Sequence, residues 1–152
     1  MKLAEALILR ADCQKRIEQL KQRLIRSSKV QDGDEPAENP RDLIAEFERV
    51  SAELADLIKR INKTNSAATL ADGLTVSDAL AARDVISLKR GVYNELAHAA
   101  SVVQNAYSRS EVKFKSTVKV AEVQKQVDAL SKEHRELDSR IQEANWTIDL
   151  TA

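Results

Sequence analysis

Apolar residues return every three or four positions along four stretches of this chain, the spacing that gives an α-helix one greasy face. The first stretch, Leu3, Ala6, Arg10, Cys13, Ile17, Leu20 and Leu24, is a heptad seam with one charged member. It predicts a helix over about residues 2–28, on the order of 40 Å long. The second, Leu43, Phe47, Val50, Leu54, Leu57 and Ile61, follows Asn39-Pro40, an N-cap residue and a first-turn proline. It predicts a helix over 40–63. Between the two lies VQDGDEPAEN, a loop by composition with an Asp32-Gly33 turn. A connection this short folds two helices back on each other as an antiparallel hairpin.

The third stretch carries Ala81, Val85, Leu88, Val92, Leu96, Ala99, Val103 and Ala106, on a helix predicted over 76–107. Thr75 stands as its N-cap with Asp78 three residues on, a variant of the capping box. Gly91, in its interior, costs about 1 kcal/mol relative to alanine and points to close packing or a bend. The fourth, over 119–145, carries Val120, Val123, Val127, Leu130, His134, Leu137, Ile141 and Ala144. Between the last two helices the period changes to alternation: Val112, Phe114 and Ser116 fall on one side, Glu111, Lys113 and Lys115 on the other. That predicts a short β element near 111–116, paired with 68–71, with 147–150 or with another subunit. The tail residue Trp146 is expected to dock on the body or on a neighbour.

The fold class is therefore all-α: one helical domain over 1–152, built of long amphipathic helices in antiparallel hairpins, bundle-like or coiled-coil-like, with that minor β element. Composition agrees. Three Gly and two Pro leave few turns, and 3% aromatic residues leave a thin aliphatic core of the kind helices share between subunits. A homo-oligomer is the expectation.

Charge narrows the partners. Twenty-four basic residues balance 24 acidic ones without blocks, so no nucleic acid is expected; Lys113-Phe114-Lys115 is too short a basic-aromatic run to change that. No apolar run is long enough to span a bilayer, and Glu5 and Arg10 interrupt the N-terminal one, which predicts a cytoplasmic protein. The single Cys13 falls on a seam, where a thiol is buried and inert.

Candidate chemistry concentrates in residues 60–84, where the apolar period breaks. Arg60, Asn62, Asn65, Asp72, Asp78, Arg83 and Asp84 could serve as caps, turn formers and an Arg–Asp pair, or line a pocket for a small molecule or metal. His134, on the last seam, either fixes register or makes an interface pH-sensitive. Glu95-x-x-His98 has the spacing of a di-iron helix, but His134 has Ser131 three residues before it, so the second copy such a site needs is missing. No GxSxG elbow and no phosphate loop occur. Neither an enzyme, a metal nor a cofactor is expected.

Several blocks carry a resemblance: MKLAEAL and RAD at 10–12, VQDGDEP, RINKTN at 60–65, DALAARD at 78–84, RSEVKF, RELD at 135–138 and IQEANW. Over nearly its whole length the chain resembles the septicolysin-like family of small bacterial proteins. The family name implies a haemolysin. The residues imply something else, since a cytolysin must leave its cell and lay an apolar face in lipid. The leading expectation is a non-enzymatic, self-associating helical protein that presents its surfaces to a protein partner. A membrane-active cytolysin is the alternative, and ligand binding at 60–84 the third.

Overall fold

In a computed structural model of the chain, residues 1–101 and 113–152 are described. They form four helices: α1 (Leu3–Arg26), α2 (Pro40–Ala67), α3 (Val76–Ser101) and α4 (Val120–Thr147). No strand occurs among the described residues; only isolated bridges join Lys2 with Asp149 and Thr69 with Thr75. The fold is all-α, with helices packed in pairs. Two compact units form, one of Met1–Val76 with Gln142–Ala152, the other of Ser77–Ile141.

In the first unit, α1 and α2 pack as an antiparallel hairpin. Arg16 of α1 meets Glu46 of α2 at 3.1 Å, and Arg23, further along α1, meets Glu38, which precedes α2. As one number rises the other falls, so the chain doubles back. The seams face inward as their spacing requires: Leu3, Ala6, Cys13 and Leu20 are buried on α1, and Leu43, Val50, Leu57 and Ile61 on α2. Arg10, Ile17, Leu24, Phe47 and Leu54 are half-buried beside them. Asn39 caps α2 as its position predicts, its side-chain oxygen accepting from the Arg41 N–H at 3.0 Å ahead of Pro40. The C-terminal segment closes the open end of this hairpin: the Leu3 N–H donates to the Ile148 carbonyl and the Leu150 N–H to the Met1 carbonyl, both at 2.9 Å.

The second unit joins α3 to α4. Arg83 on the second turn of α3 donates to Asp138 near the far end of α4 at 2.7 Å, which sets the two helices antiparallel. The seam of α4 is covered: Val123, Val127, Leu130, Leu137 and Ile141 are buried. The seam expected on α3 is not. Its buried residues are Val76, Ala79, Ile86 and Ala97, whereas Val85, Leu88, Val92 and Leu96 are 53%, 71%, 66% and 40% exposed. α3 is apolar on two faces, and the one that mixes two alanines with Val76 and Ile86 is the covered one.

Two further expectations are corrected. Residues 113–116 carry no strand, and Phe114 is 75% exposed, because no described segment lies beside them to complete a ladder; residues 111 and 112 of that element, like 102–107 of the third helix, lie outside the described residues. Trp146 is 58% exposed and so does not dock on the body of its own chain, the first of the two expectations for it.

Candidate functional site

The residues picked out at 60–84 are divided between the two units: Arg60, Asn62, Asn65 and Asp72 belong to the first, Asp78, Arg83 and Asp84 to the second. In the first, the end of α2 meets the C-terminal segment. Arg60 donates from Nε to the Thr151 carbonyl at 3.1 Å and lies 3.6 Å from Asp56, one turn earlier. Lys63 donates to the Ala152 carbonyl at 2.9 Å. Asn62 is exposed and its carbonyl accepts from the Ser66 hydroxyl at 3.0 Å, while Asn65 is half-buried.

The centre of this cluster is a residue that sequence reasoning passed over. Thr64 is 1% exposed; its hydroxyl lies 2.8 Å from the Arg60 carbonyl and 3.1 Å from the Thr151 hydroxyl, and accepts from the Thr151 N–H at 3.0 Å. The signal was present, since Thr64 lies three residues after Ile61 and continues the α2 stripe inward. A hydroxyl there is buried by periodicity and must find partners.

Downstream, the chain makes a tight turn before α3. The Gly73 N–H donates to the Leu70 carbonyl at 2.9 Å and the Leu70 N–H to the Leu74 carbonyl at 2.8 Å. Gly73 takes φ +85, the left-handed conformation that glycine adopts without a side-chain clash. Asp72 accepts from the Leu74 N–H at 3.2 Å, holding the turn from its side chain. Asp78 lies in the first turn of α3, where a carboxylate suits the helix dipole. Arg83 is held by Asp138, with Asp84 3.9 Å away and exposed.

Of these groups, Arg60, Asp72 and Arg83 hold the fold through their side chains. Among the described residues no buried side-chain polar atom lacks a hydrogen bond, and no three His, Cys, Asp or Glu residues converge on a point that could hold a metal. Cys13 is buried, and burial first, then the Glu53 charge, pushes its thiol above the ordinary value, away from reactivity. His134 is half-buried on the α4 seam, in sequence between the buried Leu130 and Leu137. Glu95 and His98 both face solvent.

What the structure does present is the outer face of α3. Ala81 and Val92, Val85 and Leu96, and Leu88 and Ala99 are each eleven residues apart. Eleven residues make slightly more than three turns, so the stripe drifts by only about 20° per repeat, in the right-handed sense. Beside it a shallow groove is lined by Asp84, Ser87, Leu88, Gly91, Val92 and Glu95. Gly91 deepens it, since a Cβ there would meet nothing within 4 Å.

Comparison with known proteins agrees with this all-helical architecture. Residues 10–150 match DUF6847, a family of unknown function. The chain belongs to this family. A DUF6847 chain of the present fold is also similar to a solved structure, described as a functionally unknown conserved protein from Corynebacterium diphtheriae. The two share 43% identity over 99% of each chain, with a TM-score of 0.92. No curated protein matches the sequence. Among the described residues, no helix is long and apolar enough to cross a membrane.

Proposed function

We propose that this DUF6847 protein is a non-enzymatic, cytoplasmic helical protein that self-associates and works as an interaction module. The observation that carries the reading is the row Val85, Leu88, Val92 and Leu96, all on one side of one helix and all exposed. Single exposed apolar residues are ordinary, but a continuous row marks a surface made to be covered. The seams of α1, α2 and α4 bear the same kind of pattern and are covered within the chain. The α3 stripe repeats at helical period along its length, so a second helix fits it better than a compact ligand.

The septicolysin resemblance leads to another use of this face, contact with a bilayer. Interfacial helices set Lys and Arg beside their apolar stripe. Here the groove beside Leu88 and Val92 is edged by Asp84 and Glu95. That favours a protein surface over an anionic lipid surface. Light scattering on the purified protein tests the main reading: a mass above the 16.9 kDa of one chain is expected, and a single-chain mass at every concentration would remove it. Dye-filled liposomes of mixed anionic and zwitterionic lipid are expected to keep their contents. Leakage at micromolar protein would move the assignment to the membrane-active class.

A further inference from the structure

Taking that self-association as its premise, we infer that the outer face of α3 packs against the same face of a second copy, in parallel and in register. The charges beside the stripe choose this arrangement. At about 100° per residue, Asp84 and Glu95 project to one side of the direction of Val92 and Lys89 to the other. The groove confirms the placement of the two acids, for both line it together with Leu88 and Val92. Around Val92 the stripe therefore has two acids on one flank and Lys89 on the other; Asp78, in the first turn of α3 and eleven residues before Lys89, lies on the lysine side at the far end of the stripe.

A two-fold axis parallel to the helix brings the two acids of each copy to the side of Lys89 of the other. Lys89 of the second copy then lies in height between Asp84 and Glu95. It is five residues from one and six from the other, about 7.5 and 9 Å along the axis. Five residues is the usual offset of interhelical ion pairs that set partner and orientation in parallel coiled coils. An antiparallel pair about Val92 would instead set acid beside acid and Lys89 beside Lys89.

The apolar layers agree with this register. Val85, Leu88, Val92 and Leu96 each meet their own counterpart, and Gly91 leaves the groove open for the incoming lysine. Eleven-residue spacing keeps these layers facing each other with a slight right-handed supercoil. The face is thus self-complementary in period and in the charges around Val92, which a surface for an unrelated protein need not be.

The test joins sedimentation or light scattering of the full chain with cysteine cross-linking. Leu88→Asp is expected to raise the dissociation constant at least about 100-fold, and Lys89→Glu about tenfold, with the helical circular dichroism signal unchanged. Mixed with the Glu95→Lys variant, Lys89→Glu is expected to form a heterodimer tighter than either variant alone. In a Cys13→Ala background, Val85→Cys and Leu88→Cys are each expected to close a disulfide between copies. Cross-linking only between Leu88→Cys and Leu96→Cys chains would overturn the parallel register. A wild-type oligomer whose mass survives Leu88→Asp would overturn the α3 interface while leaving self-association standing. A wild-type monomer would overturn both.

Discussion

The α1–α2 hairpin and the outer face of α3 are written in nearly the same pattern and put to opposite uses. Leu20 and Val50 are 2% and 0% exposed; Leu88 and Val92 are 71% and 66% exposed. Periodicity states that a helix has an apolar face, and does not state what covers it. On α1 and α2 the partner lies across a short loop, and Arg16–Glu46 and Arg23–Glu38 fix the pairing. On α3 the covered side bears Val76, Ala79, Ile86 and Ala97, while Val85, Leu88, Val92 and Leu96 remain outside. The lesson concerns helices with apolar residues on two faces: the face with the smaller side chains can be the inner one.

Substitutions can break this contrast, and the largest effect is expected in the hairpin. Ile61→Ala or Leu20→Ala removes buried side-chain atoms and should lower the unfolding free energy by about 2–5 kcal/mol, read by urea denaturation. Leu88→Ala should change it by less than about 0.5 kcal/mol in the dissociated chain, because its side chain stays in water. Equal losses at Leu20 and Leu88 would mean that the α3 stripe is covered within the chain.

A smaller effect is expected at the centre of the polar cluster. Thr64→Val keeps the volume but leaves the Thr151 N–H without its acceptor, at a cost of about 1–3 kcal/mol. Removal of residues 148–152 should give a similar loss, since Thr151 is the partner in question; a neutral outcome for both would mean that the C-terminal segment does not brace the first unit. In the second unit, a double-mutant cycle on Arg83 and Asp138 should yield a coupling of about 0.2–1 kcal/mol, as both groups are partly open to solvent.

The smallest effect is electrostatic and confined to the hairpin side. The hydrogen bond and charge of Lys2 hold the Asp149 carboxyl below its ordinary 3.8, and those of Arg23 hold Glu38 below 4.5. A folded-state value below the unfolded one stabilises the fold above the unfolded value, and that contribution is lost as pH falls through the folded value. Thermal midpoints should therefore decline below about pH 4.5, and less so in a Lys2→Ala/Arg23→Ala variant than in the wild type. Identical acid profiles for the two proteins would count against both pairs.

Much of the fold was legible in the sequence because its cues are local. The Asn39-Pro40 start of α2 and the seams of α1, α2 and α4 follow from capping chemistry and a period of three and four residues. Of the polar residues at 60–84, their common use was legible only as helix-end and turn chemistry, as with Asp72 and Gly73. Thr64 was missed because a threonine in a polar run, NKTN, reads as surface until the α2 stripe is extended through it.

The sequence by itself determined four helices, the Asn39-Pro40 start of α2, and which residues could be apolar contacts, since these depend on neighbours a few positions away. Only the tertiary structure decided that Thr64 meets Thr151 across 87 residues, that Arg83 pairs with Asp138, and that α3 buries Ala79, Ile86 and Ala97 and leaves Leu88 and Val92 outside. Those outcomes depend on which surfaces are brought together over long separations. A repeat of three and four residues carries no information about that choice.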